Sequence, residues 1–293
     1  MPSILKKSFS VQSARSFRDS LDRTDPTADT LYLYFGKETQ WTDENTPDTP
    51  TESVSDEFDT RNAIVGIKKV VKTNSSFVVN RIDWTSGTVY DRYTEDATGL
   101  ASDDFYVLTS ANNVYKCINN NFGSSSIVEP SGSSTSTIST GDGYTWKFMY
   151  NLSSSMISTF LTDDWLPVPT GGQRTSFQTS VETASTYSAT NPADGHGSSA
   201  IDELFATRIM IVQSLDQDES GTFPINDDYR QLGLWLNPRL TSNDSVASGS
   251  IYSVNDSNSD IDETTGKILL IDNRSAITRS SEQSETAKYV LQF

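Results

Sequence analysis

From Tyr144 to Tyr150 every second residue is aromatic, with Tyr144, Trp146, Phe148 and Tyr150 alternating with Thr145, Lys147 and Met149. Only an extended strand carries residues of that spacing on one surface, because its successive side chains point to opposite faces. The spacing predicts a strand over 144–150 with all four rings on one face, launched from a tight turn at Gly141, Asp142 and Gly143. Such a stripe can line a core or stack against sugar rings, and at period two it more often lines a core. The Gly141-Asp142-Gly143 run lacks the third glycine of a dinucleotide fingerprint and precedes a strand, not a helix. It reads as a hairpin turn.

Composition agrees with a β protein. Ser supplies 44 and Thr 34 of the 293 residues, against 34% hydrophobic residues, a mix that suits strands joined by polar loops better than a helical bundle. A chain this long buries roughly three quarters of the surface its unfolded form exposes, so it needs no disulfide staples. The one cysteine, Cys117, excludes a disulfide framework or a CxxC site within one chain, and beside Tyr115 it reads as a small buried residue. The one histidine, His196, excludes HExxH and any multi-histidine metal site within one chain. Acids outnumber bases 39 to 22, a net charge of −17. That charge repels polyanions, so binding to nucleic acid through its phosphates, or to an anionic membrane, is not expected. No apolar run approaches the roughly 20 residues of a bilayer span, so membrane insertion is not expected either. Met1 to Ser10 carries Lys6 and Lys7 but no apolar stretch behind them, which predicts a chain without an export signal.

Along the chain, Val11, Ala14, Phe17, Arg18 and Leu21 recur at helical spacing before Asp25-Pro26, predicting one short amphipathic helix in an N-terminal arm of about residues 1–29. Leu31 to Phe35 reads as a strand stopped by Gly36, and Lys37 to Thr60 as a long acidic surface loop. Ala63 to Val71 and Phe77 to Ile82 read as strands, and Phe105 to Thr109 with Val114 to Ile118 as a hairpin. Asn119 to Thr140 is a Ser, Gly and Asn tract that cannot build a core and belongs on the surface. Met156 to Leu161 suggests one or two helical turns capped by Ser153 or Ser154, ahead of Trp165 to Pro169; Gly171 to Ser199 reads as a polar loop. Thr207 to Ser214, Arg230 to Leu236, Lys267 to Ile271 and Ala287 to Phe293 complete the strands, with Asn237-Pro238 and Asp272-Asn273 ending two of them. The tally is about ten strands and two short helices, with no composition break that marks a domain boundary.

Several constellations could carry chemistry. The acidic pairs Asp103-Asp104, Asp163-Asp164 and Asp227-Asp228 could supply glycosidase carboxylates, but neighbours on a strand face opposite ways, so they read as solvated loop charges. Asp216, Asp218, Ser220, Gly221 and Asp227 follow the order of a calcium loop. Asp in place of the bidentate Glu, Pro224 at the ninth position and a β-branched stretch upstream favour an acidic turn instead. His196 sits between glycines with no G-x-S-x-G in the chain, so it reads as a surface histidine and not as the oriented base of a serine nucleophile.

Thr30 to Trp41 (TLYLYFGKETQW) followed by Asn62 to Val70 (NAIVGIKKV) resembles the opening of a baseplate wedge subunit of contractile-tailed, T-even-like bacteriophages, the gene product eight family. The resemblance continues through STGDGYTWKFMYNL, YRQLGLWLNP and GKILLIDNR to ETAKYVLQF at Phe293, and is sharpest in GDGYxW and xRQLxLxxNP. It implies a non-enzymatic structural protein, mainly β, folded as a three-layer β-sandwich with a few short helices in its loops, here a single domain over residues 1–293. It further implies a homodimer in the baseplate of the virion, assembled in the host cytoplasm, whose partners are other wedge proteins, with no cofactor, no metal and no catalytic residue to carry over.

A scaffold of this kind docks through anchors set in segments too polar to be core. Phe9, Phe17, Trp41, Phe58 and Trp165 fit that description, although each could also fold back on its own sandwich. A receptor-binding or carbohydrate-binding tail protein would use the same composition and the aromatic stripe. The acids concentrate at Asp43 to Asp59, Asp216 to Asp228 and Asp256 to Glu263, leaving the predicted strands nearly free of them.

Overall fold

The structure, a computed structural model, describes residues 6–21, 30–94, 99, 102–134, 136–170, 204–215, 228–240, 251–253, 261–262, 265–278 and 284–293. Along these run α1 (Lys7–Ser20), β1 (Leu31–Gly36), α2 (Val54–Asn62), β2 (Ile64–Val70), β3 (Ser75–Asn80), β4 (Tyr106–Leu108), β5 (Asn113–Asn120), β6 (Ile138–Ser139) and β7 (Tyr144–Asn151). Beyond them come α3 (Ser154–Phe160), β8 (Trp165–Val168), β9 (Arg208–Leu215), β10 (Asp228–Leu236), β11 (Arg239–Leu240), β12 (Ile251–Ser253), β13 (Ile261–Asp262), β14 (Lys267–Thr278) and β15 (Glu285–Gln292). The chain is mainly β, built of antiparallel sheets in the manner of a β-sandwich. Two compact units are formed, one from residues 1–15, 76–210 and 290–293, the other from 16–75 and 211–289.

In the second unit a five-stranded sheet runs in the order β12-β2-β1-β10-β14. β1 lies between β2 and β10, and all six of its residues are buried, which is why Leu-Tyr-Leu-Tyr-Phe is apolar on both faces. Tyr32, Tyr34, Ile64, Ile67 and Trp235 make a core cluster with Ile268 against it. Gly233 is required there: a Cβ would lie 2.0 Å from the Leu270 carbonyl oxygen and 2.5 Å from Tyr34 Oη. Asn237 ends β10 as expected, at φ +53°, and its Oδ1 accepts from the Thr30 N–H at 2.6 Å.

Three expectations fail in this unit. Residues 37–60 are not all loop, because α2 begins at Val54. Ser53 caps it by accepting from the Asp56 N–H, and Asp56 and Glu57 in its first turn complement the helix dipole. The helix is polar almost all round, so it lacks the apolar period that reveals a helix in sequence. Asp272-Asn273 does not stop β14, which continues to Thr278. Arg274 and Tyr289 both donate to Asp272, while Asn273 accepts from Gln231 Nε2 and donates to the Asp48 carbonyl, each at 2.7–2.9 Å. With those partners the polar pair costs the strand little. Asp228, Asp272 and Glu285 thus lie inside strands, against the expectation that acids keep to loops.

In the first unit a four-stranded sheet runs β4-β5-β7-β6, with the expected hairpin of β4 and β5 and the second hairpin of β6 and β7 around Gly141-Asp142-Gly143. Tyr144, Trp146 and Phe148 share a face with Tyr115 and Cys117, packing with Tyr90 and Val107 into a core cluster. The fourth ring does not join them. Tyr115 pairs with Phe148 but Val114 pairs with Tyr150, so Met149 is an extra residue in β7. A one-residue slip turns every side chain beyond it to the opposite face. Tyr150 is therefore buried on the other side, where its hydroxyl donates to the Pro167 carbonyl at 3.2 Å. β3 pairs with β8 in a further antiparallel sheet. α3 is capped by Ser153, as the sequence predicts.

Candidate docking surfaces

The Gly141-Asp142-Gly143 turn is an anchor as well as a hairpin. Gly143 takes φ +82°, which leaves the Asp142 carboxylate turned back toward the tract 126–128. Its Oδ2 accepts from the Ile127 N–H at 2.8 Å, the Val128 N–H at 2.9 Å and Ser126 Oγ at 3.1 Å. Its Oδ1 accepts from Thr140 Oγ1 at 2.5 Å and the Tyr144 N–H at 3.3 Å. Burial pushes this carboxyl up, but the donors from Thr140, Val128, Ile127 and Tyr144 outweigh it and hold the group at about 2. The core aromatics add ties at their polar tips: Tyr144 Oη donates to the Ser124 carbonyl, Tyr115 Oη to the Gly132 carbonyl and Trp84 Nε1 to Ser126 Oγ. The tract 119–140 is thus correctly read as unable to make a core, yet it is tied to one, with Ser126 fully buried.

That tract also carries a large apolar residue that composition hid. Asn121, Phe122 and Gly123 all have positive φ, +47°, +55° and +80°, a conformation that costs a bulky residue of order 1–3 kcal/mol. Asn120 Oδ1 accepts from the Gly123 N–H and Asn121 Nδ2 donates to the Asp142 carbonyl, fixing the turn, and Phe122 stands fully exposed at its tip. The signal in sequence is its setting between Asn and Gly, the residues that best tolerate the left-handed region.

The five expected anchors part company. Trp41 is buried, with Lys37 over its ring at 4.2 Å and Nε1 donating to the Arg274 carbonyl at 2.8 Å, so its ring is spent inside its own unit. Trp165 is half-buried beside the Arg208 guanidinium, 5.0 Å from its ring. Phe17 is half-buried on α1. Phe9 and Phe58 remain 60% and 55% exposed. The acidic loop that holds Trp41 is pinned by Arg230, which is buried in β10 and donates to Glu44 Oε1 at 2.6 Å and the Glu38 carbonyl at 2.7 Å.

The chemistry weighed in sequence finds little geometry. The calcium-loop residues Asp216, Asp218, Ser220 and Asp227, and His196, lie outside the described residues. Among the described residues no group of three or more His, Cys, Asp or Glu could hold a metal ion. Asp163 faces Arg81 at 3.8 Å, and Asp228 joins Arg230 and Thr278. Asp104 is pushed up by burial and then by the neighbouring Asp91 and Asp103 carboxylates, while its own N–H donates to Asp91. Cys117 is buried and its thiol is raised to about 12, first by burial and then by Asp91, which leaves it unreactive. Tyr144 and Trp146 are completely buried, so the stripe offers no face to a sugar.

Compared with known proteins, residues 117–293, more than half of the chain, match the family model described as Bacteriophage T4, Gp8. No curated protein matches.

Proposed function

The chain belongs to the phage Gp8 family, structural proteins of the tail baseplate wedge, and from that premise we propose that it works as a homodimeric scaffold docking neighbouring wedge proteins. It is assembled in the host cytoplasm, performs no catalysis, and holds its partners in register while the baseplate changes shape on host contact. The family match over 117–293 carries this reading. The fold supports it, since the aromatic stripe is packed in the core and acids such as Glu44 and Glu285 are tied into ion pairs. A stable dimer buries roughly 800 Å² or more per partner around aromatic or Arg anchors. The exposed Phe9 and Phe122 are available for that purpose.

Size-exclusion chromatography with light scattering on the purified protein is expected to give a dimer, and its melting temperature is expected to be unmoved by EDTA. A stable trimer that bound glycans would overturn the scaffold in favour of a receptor-binding tail protein.

A further inference from the structure

α2 is a polar helix with one apolar exception. Val54 is 83% and Phe58 55% exposed, and at i and i+4 they share a face, while Thr60 faces inward. Val54 shares a cleft with Leu269 of β14, which is 40% exposed. Between helix and strand lies a cleft of about 380 Å³, lined among others by Pro50, Glu52, Val54, Glu57, Leu269 and Ile271. At that volume it is at the small end of ligand pockets, of order 300–1,000 Å³, and suits one or two side chains more than a folded element. β14 itself is the last strand of its sheet, and its backbone is already guarded: Glu57 accepts from the Ile268 N–H, Glu44 from the Ala276 N–H, and Trp41 donates to the Arg274 carbonyl. Strand addition is thereby discouraged, and side chains are left as the means of docking.

Charge decides what fits. Residues 42–60 contain seven acids and no Lys or Arg. Asp43 is held below the usual carboxylate range by the Asn45 N–H and Thr46, and Asp56 by the Thr51 hydroxyl and N–H, so both are ionised at neutral pH. Glu57 is oriented by its bond to Ile268 and lines the cleft. A second copy of the chain would set the same carboxylates against each other, and a nucleic acid or an anionic membrane would fare worse.

We infer that the face formed by Val54, Phe58 and Leu269, rimmed by Glu52 and Glu57, is the docking surface for a segment of a neighbouring wedge protein that presents an apolar side chain flanked by Lys or Arg. The inference rests on the wedge reading above and gives one of its partners a place and a chemistry.

The test uses the full chain and the purified wedge proteins encoded by the same phage, with affinities measured by light scattering and calorimetry over 50–500 mM NaCl. One of them is expected to bind, with affinity falling as salt rises. Val54→Asp/Phe58→Asp is expected to weaken that binding more than tenfold, and Val89→Asp, an exposed valine in the other unit, less than twofold. Glu52→Lys serves as a second variant that leaves every apolar contact in place; it is expected to weaken binding and flatten the salt dependence. If a wedge protein binds but Val54→Asp/Phe58→Asp and Glu52→Lys both bind it like the unmodified chain, the surface is wrong and the wedge reading stands. If none binds the unmodified chain, both fall.

Discussion

Asp142 ties the tract 126–128 to the hairpin of β6 and β7 through one carboxylate, and Asp142→Asn tests how that arrangement is held. All five groups aimed at it are donors: the Ile127, Val128 and Tyr144 N–H groups and the Ser126 and Thr140 hydroxyls. An amide can accept on one side only, so its NH2 must be turned toward donors on the other. A folded value of about 2 against an ordinary 3.8 corresponds to about 2.4 kcal/mol at 1.36 kcal/mol per unit, and partial exposure of the side chain reduces this to about 1–2 kcal/mol. The folded group titrates below the unfolded one, so its contribution is complete above about pH 4 and is lost as the pH falls toward 2. Urea unfolding followed by tryptophan fluorescence is expected to place Asp142→Asn about 1–2 kcal/mol below the unmodified protein at pH 7, with the gap closing as the pH approaches 2. Hydrogen exchange at Ile127 and Val128 is expected to accelerate in the variant. Equal stability at pH 7, or a gap of constant width down to pH 2.5, would refute the clamp.

Two other substitutions probe the second unit. Gly233→Ala places a methyl group 2.0 Å from the Leu270 carbonyl oxygen, backbone that cannot step aside, and is expected to cost about 3 kcal/mol or more by urea unfolding; a loss below 1 kcal/mol would show that β10 and β14 separate easily there. Arg230→Met removes the guanidinium that joins Glu44 to the Glu38 carbonyl, and is expected to cost about 2 kcal/mol and to open the loop around Trp41 to proteolysis; cleavage no faster than in the unmodified protein would show that the loop is held without Arg230.

Strands were legible wherever burial imposes a pattern. β1 is buried on both faces and reads as a continuous apolar run, β10 ends in the apolar Leu232 to Leu236, and β7 announces itself by alternation. What escaped is what local chemistry does against the pattern. Tyr150 has the right spacing, but the extra residue at Met149 turns it over, and a bulge leaves no mark in an alternating string. β14 continues past Asp272-Asn273 because Tyr289 and Gln231 reach these side chains from other strands, contacts that no short window of sequence contains, while Arg274 adds a pair from two residues on. α2 had a signal in Ser53-x-x-Asp56, but within an acidic, proline-bearing stretch that cap was outweighed by the absence of an apolar stripe.

The candidate docking residues were legible only as a class, for a related reason. An aromatic in a polar segment can serve as an outward anchor or as an inward pin, and sequence contains both options in the same letters. Trp41 became a pin because the Arg274 carbonyl lies where its indole N–H can reach it, with Lys37 closing over the ring. Phe58 has no polar atom to satisfy, and its helix turns Thr60 inward in its place, so the ring stays in solvent. The polar handle thus sorts the candidates: a Trp near a free carbonyl is drawn in, while a Phe raised by a cap or a left-handed turn is left out. By that rule Phe122, held at φ +55° between Asn121 and Gly123, belongs with Phe58 among the residues left in solvent, although its tract is rich in Ser, Gly and Asn.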